Sequence, residues 1–382
     1  MPSEQISDMK HMWARVIGQV RVKQTLLTAL RTGRLAHAYL FYGEEGVGKD
    51  AMALEFARVL LCEEGNEEAC GRCASCLRVG QMQHPDIQLI TALPVGKSED
   101  MGDPPLAKLS QDDISTIQEE YRRKGEDPYY TVVIPRANVI KISSIRELRR
   151  EATMTAFGGK KRIFLISHAE DMEDSASNAL LKTLEEPAGD CIIILTTSNR
   201  EALLTTIVSR CQQVRFDPLA EEDIRSALHE RESVDPSHAA LVARLANGSY
   251  ARARALLQAD VFEERKFVVE FIRHALSGNA LSVAEDVDRI AAWKSRDQVQ
   301  RFLLFVLLWF RDALVLSQGG YVINLDQHDE LKRFVTRNPG ADMLGAIAET
   351  ERAISLLGRN TYIKLVIFTL ATRLRLTLPK KQ

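Results

Sequence analysis

Apolar residues in the first part of the chain are concentrated in five short runs rich in β-branched and aromatic side chains. These runs are separated by segments in which apolar residues recur at helical spacing. They are Ala38–Tyr42, Asp86–Ile90, Arg162–Ile166, Cys191–Thr196 and Gln213–Phe216. Near-continuous apolar strands that alternate with helices are typical of a parallel sheet covered on both faces. The pattern therefore predicts an α/β fold for residues 1–217.

From Asp217-Pro218 onward the strand pattern stops and the chain becomes helical throughout. Residues 219–260 have the pattern of short helices, and apolar residues recur at helical spacing in 302–316 and 362–376. We therefore predict three domains. They are an α/β domain at 1–217, a small helical domain at 218–261 and an all-helical domain at 262–382.

Residues 93–138 interrupt this order with a polar, charged segment. Glycines and prolines punctuate it, among them Pro94, Gly96, Gly102, Pro104, Pro105, Gly125 and Pro128. We predict a long insertion, partly disordered or an independent surface excursion, with one helix at Gln111–Arg123.

A glycine-rich loop, Gly43-Glu-Glu-Gly-Val-Gly-Lys-Asp50, directly follows the first predicted strand. Gly43, Gly46 and Gly48 would let backbone N–H groups face phosphate oxygens, and Lys49 would neutralise their charge. The last position of this pattern is normally Ser or Thr, whose hydroxyl holds Mg²⁺, but here it is Asp50. The loop indicates a phosphate-binding ancestry. The sequence leaves open whether it still holds ATP or ADP or is only a strand-to-helix turn.

Nucleotide hydrolysis on such a fold also needs an Asp and a Glu at the end of the third strand. The two positions are Ser167 and His168 in this chain. Because a carboxylate at Asp50 would also repel bound phosphates, we predict that this chain does not hydrolyse ATP.

Four cysteines fall close together, at Cys62, Cys70, Cys73 and Cys76. Two Cys-x2-Cys steps share Cys73, and four thiolates close a tetrahedral structural zinc site. The spacing predicts bound zinc, with free thiols as the alternative. Cys191 and Cys211 are predicted to be buried packing residues.

The amino-acid composition and the N-terminal sequence argue against several classes of protein. The chain is 45% hydrophobic and 27% charged with a net charge of −2, so it has no global attraction to DNA. No apolar run approaches the ~20 residues of a membrane span, and the N-terminal sequence lacks the apolar core of a signal peptide. We expect a cytoplasmic protein with reduced thiols.

Five sequence elements occur in the order that characterises one family. They are Val16–Gln19, the glycine loop, the cysteine cluster, Ser177–Pro187 and Ser209–Cys211. In this the chain closely resembles the bacterial clamp-loader family of AAA+ proteins. The resemblance covers residues 15–260 apart from the insertion, and the last 120 residues resemble the family only in being helical.

The resemblance implies an AAA+ module with a nucleotide domain, a helical lid and a helical collar through which five subunits form an open ring. It also implies gamma/tau and delta subunits as partners within the DNA polymerase III holoenzyme, together with the sliding clamp and primed DNA. The gamma/tau motors keep both ATPase motifs. The residues at Asp50, Ser167 and His168 therefore make this chain resemble a non-hydrolysing subunit. Ala251 stands where the motors carry a phosphate-sensing arginine.

The resemblance gives Arg210 a role as well. The family's Ser-Arg-Cys arginine projects into the ATP site of the adjacent motor subunit, where an arginine supplied in trans stabilises the transferring phosphoryl group. Two alternatives to a non-hydrolysing clamp-loader subunit remain open. One is a divergent gamma/tau-type motor that hydrolyses ATP itself, and the other is a zinc-bearing interaction module outside replication.

Overall fold

The computed structural model describes residues 13–96, 102–157, 161–186, 190–257, 261–293, 295–320, 322, 327–358 and 361–378. The chain divides into two compact units, Met1–Ala255 and Leu256–Gln382. Residues 1–12 and Pro187, which entered the sequence predictions, lie outside the described residues. The treatment of 218–261 as a domain of its own stays a prediction.

In the described part of the first unit, five strands form one parallel sheet. The strands are β1 (Ala38–Tyr42), β2 (Ile87–Ile90), β3 (Arg162–Ile166), β4 (Cys191–Thr197) and β5 (Gln212–Arg215). Their order is β2-β3-β4-β1-β5, and each neighbouring pair runs parallel. All seven residues of β4 are buried, as expected for a strand with helices on both faces. The predicted parallel α/β sheet is confirmed.

Helices connect these strands and continue after the sheet ends. Those that begin in the first unit, in chain order, are α1 (Val20–Arg31), α2 (Lys49–Leu61), α3 (Ala74–Gly80), α4 (Gln111–Glu126), α5 (Ile142–Ala152), α6 (Asp174–Glu185), α7 (Thr205–Arg210), α8 (Glu221–Glu232), α9 (Pro236–Leu245) and α10 (Tyr250–Leu257). The helix predicted in the insertion is α4, which extends three residues beyond its predicted end.

The core of the sheet fixes where a site can form. Leu40, Phe164 and Ile193 on neighbouring strands pack with Leu148 of α5 and Leu180 of α6, and all five are almost fully buried. Ligands of open parallel sheets bind beside the carboxyl ends of the strands. The glycine loop follows β1 at that edge, so this is where the candidate residues meet.

The second unit is helical in all its described elements. They are α11 (Val261–Ser277), α12 (Ala280–Ala291), α13 (Arg296–Ser317), α14 (His328–Arg337), α15 (Met343–Gly358) and α16 (Ile363–Thr377). Aromatic side chains contribute to its core, where Phe267 and Phe271 of α11 both pack against Phe302 of α13. No described helix combines the length and the apolar character needed to span a lipid bilayer.

Candidate functional site

The glycine loop is tightly covered by residues from distant parts of the first unit. Gly46 and Gly48 have φ values of 77° and 97°, which side-chain-bearing residues rarely adopt. A Cβ at Gly46 would lie 2.2 Å from Ser249 Oγ, and a Cβ at Gly48 would lie 2.8 Å from Tyr129 Oη. The glycines are therefore required both by the turn and by what packs on it.

Lys49, the first residue of α2, turns back onto the loop. Its Nζ donates to the backbone oxygens of Gly43 at 2.8 Å and Glu44 at 2.6 Å. The side chain is buried, and burial lowers the pKa of its ammonium below the usual value, although nearby carboxylates, Asp50 above all, oppose this. A bound phosphate would have to compete with these two carbonyl groups for Lys49.

Asp50 is the centre of a polar cluster at the carboxyl edge of the sheet. Ser167 Oγ donates to its Oδ2 at 2.7 Å, and Thr196 Oγ1 donates to its Oδ1 at 2.6 Å. The Nζ of Lys124 lies 3.0 Å from Oδ2. Burial alone would raise the pKa of Asp50, but the Lys124 charge and the two hydroxyl donors hold it well below its usual range. Asp50 is therefore a fully ionised, internally paired carboxylate.

Lys124 and Tyr129 both come from the insertion, and they correct the prediction made for it. Lys124 has a side chain only 6% exposed, and Tyr129 Oη accepts a hydrogen bond from the backbone N–H of Ile17 at 2.8 Å. The Tyr129 ring packs edge-on against Tyr250. The prediction of an independent surface excursion is wrong for residues 111–130, because this segment covers the glycine loop and pairs with Asp50.

The end of β3 carries no acidic pair. Ser167 is bonded to Asp50, and His168 adopts a left-handed backbone with φ 54°. The carboxylate that follows, Glu170, accepts from the backbone N–H and the hydroxyl of Ser198 at 2.9 and 2.7 Å. Burial raises the pKa of Glu170, but these donors outweigh it and leave the pKa lowered.

A polar cavity of about 280 Å³ lies between these groups. Lys49, Asp50, Lys124 and His168 line it, and the methyl group of Ala251 lines its other side. The cavity lies slightly below the ~300–1,000 Å³ typical of small-molecule sites. Within the described residues, the arrangement offers cations for an anion but no free hydroxyl beside Lys49 for a metal ion.

Removing the Lys124 charge is expected to destabilise the first unit. Lys124→Met keeps most of the apolar stem but leaves Asp50 without its counter-ion, so the free energy of unfolding should fall by about 1–3 kcal/mol at pH 7. Lys108→Met, at an exposed position of the same insertion, is the control. Urea denaturation of both variants and the wild type measures the difference, and equal stabilities would contradict the pairing.

The loss of stability in Lys124→Met should depend on pH in a defined direction. The pKa of Asp50 in the folded chain lies below the value of about 3.9 in an unfolded chain. Its carboxylate therefore stabilises the fold fully above that value and progressively less as the pH falls below it. Lys124→Met raises this pKa, so its cost should be largest at neutral pH and should shrink once the pH falls below the raised pKa of Asp50 in the variant.

The four predicted cysteine ligands converge. The sulfur atoms of Cys62, Cys70, Cys73 and Cys76 all lie within 4.8 Å of one another. The Cys70 and Cys76 sulfurs are 3.9 Å apart, close to the ~3.8 Å expected for two thiolates on a tetrahedral zinc with 2.3 Å bonds. This donor set could hold a metal ion.

The surroundings of the cluster favour thiolates at Cys62 and Cys73, whereas the pKa values of Cys70 and Cys76 are raised. Backbone N–H groups of Cys70, Cys73 and Cys76 each point at a cluster sulfur at 3.4 Å. Burial opposes ionisation of Cys73, but backbone donors and neighbouring thiols lower its pKa to about 7. Cys191 and Cys211 instead lie within the hydrophobic core of the first unit, so their prediction as packing residues is confirmed.

Arg210 is the last residue of α7 and lies away from the cavity residues. Its side chain is 35% exposed and its Nη2 is 2.7 Å from Glu185 Oε1. Its Nη1 also donates to the carbonyl oxygen of Thr206 at 3.0 Å. The arginine is thus held at the surface of this unit by an ion pair with α6.

Sequence reasoning missed three of these residues, namely Lys124, Tyr129 and Thr196. The one available signal was Asp50 itself, because a carboxylate placed at the start of a buried helix needs partners. Nothing in the local sequence pointed to which residues those would be.

Comparisons with known proteins agree on one family. The family model described as DNA polymerase III, delta subunit, matches residues 18–220. The DNA polymerase III subunit delta' of Bacillus subtilis is 32% identical over 79% of this chain and 78% of its own length. The subunit delta' of Pseudomonas aeruginosa is 31% identical over 63% of this chain and 62% of its own length.

A tau subunit also matches, over a smaller share of its own length. The DNA polymerase III subunit tau of Escherichia coli is 29% identical over 64% of this chain, and the alignment spans 32% of the tau sequence. The parallel sheet and these matches agree with the predicted α/β fold. The chain therefore belongs to the DNA polymerase III delta prime subunit family, which is related to the gamma/tau subunits.

Proposed function

We propose that this chain is a clamp-loader subunit that helps place the sliding clamp on primed DNA without hydrolysing ATP itself. The observation that carries the proposal is the paired Asp50. At the position where a motor subunit needs a Mg²⁺-binding hydroxyl, this chain has a carboxylate bonded to Ser167, Thr196 and Lys124. A metal ion bridging phosphates at that point would have to displace the Lys124 ammonium.

Three further features support the loss of hydrolysis. The strand end that should orient the attacking water has Ser167 and His168 in place of two acids. Lys49 donates to its own loop rather than standing free. Ala251 lines the cavity without a charge to sense a phosphate. ATP or ADP would bind without turnover only if its phosphates displaced the two loop carbonyl groups from Lys49.

Arg210 is our proposed contribution of this chain to a neighbour's ATP site. The Arg210 side chain is more than one-third exposed and lies at the end of a short helix. This is a suitable starting position for reaching another subunit. Its partner Glu185 is itself half exposed, and an exposed ion pair contributes only about 0–1 kcal/mol. Arg210 can therefore leave Glu185 and contact phosphate oxygens of an adjacent nucleotide at little cost in free energy.

We propose that the cysteine cluster binds zinc and that the bound ion holds residues 62–76 in place. We also propose a heteropentamer with gamma/tau and delta subunits, assembled through residues 262–382 as a collar, with 218–261 as a lid. In this assembly the partners supply the ATP turnover, and the cytoplasm is the expected compartment.

The proposal is tested by two measurements on one preparation. The purified chain should show no Mg²⁺-dependent ATP turnover above background, and it should co-elute with gamma/tau and delta subunits as one complex in size-exclusion chromatography. Turnover by the chain alone that disappears in Lys49→Ala would instead support a gamma/tau-type motor. Failure to join the complex would contradict the clamp-loader role.

A further inference from the structure

The second unit contains a groove that the proposed function does not use. It has a volume of about 840 Å³ and opens between α11, α13, α14 and the end of α16. Its floor is apolar and includes Ile272, Leu276, Trp309 and Phe334. The Trp309 and Phe334 rings pack edge-to-face with centroids 4.7 Å apart, so the floor is a firm surface. The volume lies within the ~300–1,000 Å³ range of ligand sites.

The rim of this groove is strongly basic. Arg273, Arg333, Arg337 and Arg375 line it from three helices, and all four are exposed. Among the described residues that line the groove, Glu330 is the one carboxylate. None of the four arginines forms an ion pair with a described residue, whereas Arg301 and Arg373 of the same unit pair with Glu264 and Glu349.

Arg375 packs against the backbone of Gly278 at the rim of the groove. Gly278, just after the end of α11, has φ 72° and lies directly against the Arg375 guanidinium. A Cβ at position 278 would be 2.5 Å from Arg375 Cζ. The guanidinium also lies at the carboxyl end of α11, where the helix dipole favours a cation. One rim charge therefore lies where the end of α11 favours a cation.

Four cations that face one opening repel each other, and an anionic partner would relieve that repulsion. An apolar floor beneath them favours a partner that also brings a bulky apolar side chain. Single-stranded nucleic acid fits less well, because its bases need exposed aromatic faces and Trp309 is only 2% exposed. We propose that the groove binds an acidic peptide segment of a partner protein that inserts an aromatic or aliphatic side chain onto this floor.

The probe is a fluorescein-labelled peptide, Glu-Asp-Glu-Leu-Phe, titrated with the full chain and followed by fluorescence anisotropy. Replacing its Leu-Phe end by Ser-Gly should weaken binding at least about tenfold, because the apolar anchor is lost. Arg333→Ala combined with Arg337→Ala should weaken it about tenfold, since two rim charges disappear. Raising the salt concentration should weaken it further.

The matched control is Lys332→Ala combined with Arg352→Ala. Both are exposed residues of the second unit outside the groove lining, and their removal changes the net charge by the same amount. This control should bind the peptide like the wild type. Equal weakening by control and groove variants, or equal binding of the Ser-Gly peptide, would overturn the proposal. Preferential binding of a labelled oligothymidylate, lost in the groove variant, would assign the groove to nucleic acid instead.

Discussion

A Cys73→Ser variant is expected to lose the bound metal and to lose the structure of residues 62–80. Structural zinc supplies apparent folding free energies of ~10–16 kcal/mol in small zinc modules at neutral pH. Cys73 has two structural roles here, since its sulfur belongs to the four-sulfur cluster and also accepts the N–H of Cys76 as the N-cap of α3. Serine is itself a preferred N-cap residue, so the change removes a metal ligand while a side-chain acceptor for the Cys76 N–H remains, and a loss of structure reports on the metal.

The effect should stay local, because the sheet has a core of its own. The segment is tied to the rest of the unit through Glu67, which accepts from Trp13 Nε1 and pairs with Arg31. Metal content should fall from about one zinc per chain to near zero, as measured by inductively coupled plasma mass spectrometry. Proteolysis within 62–80 should accelerate while the remainder of the chain stays intact.

Cys211→Ala is the control for this experiment. It also removes one thiol, but that thiol lies in the hydrophobic core, where burial raises its pKa to about 12. This variant should keep its zinc and its resistance at 62–80. A wild-type protein that is folded, free of metal and carries four titratable thiols in the cluster would contradict the account.

Much of the sheet was predictable from local sequence. The run Cys191–Thr196 differs from β4 by one residue, and Ala38–Tyr42 and Arg162–Ile166 match β1 and β3. Buried parallel strands must be apolar on both faces, so the sequence of each strand alone reveals it. The cysteine cluster was equally predictable, because its ligands are close in sequence and the intervening turns are short.

The covering of the glycine loop could not be predicted in this way. Residues 167 and 196 become neighbours of Asp50 only because β3, β4 and β1 are adjacent in the sheet. Lys124 reaches the same carboxylate from a segment whose glycines and prolines suggested a surface loop. Glycine and proline content describes local backbone preference and says nothing about long-range packing, so the prediction failed at Lys124 and Tyr129.

These contacts also explain how the chain accommodates a carboxylate at position 50. A carboxylate at Asp50 is costly to bury alone, but hydroxyls at Ser167 and Thr196 and the charge of Lys124 satisfy it. The resulting cluster stabilises the fold at a place where a motor subunit would bind metal and phosphate. If the proposed function holds, Arg210 is the residue by which this chain affects ATP turnover at a neighbour's site.

Arg210→Ala is expected to leave the chain folded and able to assemble, since the residue lies at the surface and its pair with Glu185 is half exposed. An arginine supplied in trans can contribute roughly 10³-fold or more to phosphoryl transfer. The one site beside this subunit should therefore nearly stop, while the other motor sites continue. Arg210→Lys should rescue poorly, because an ammonium lacks the planar fork that matches phosphate oxygens.

Arg215→Ala is the matched control, because Arg215 is an exposed, ion-paired arginine on the neighbouring strand β5. The decisive measurement is the DNA- and clamp-stimulated ATP turnover of a complex reconstituted from gamma/tau, delta and each variant in turn. The account predicts a partial loss of turnover and of clamp loading with Arg210→Ala and none with Arg215→Ala. Turnover and loading unchanged by Arg210→Ala in an intact complex would contradict it.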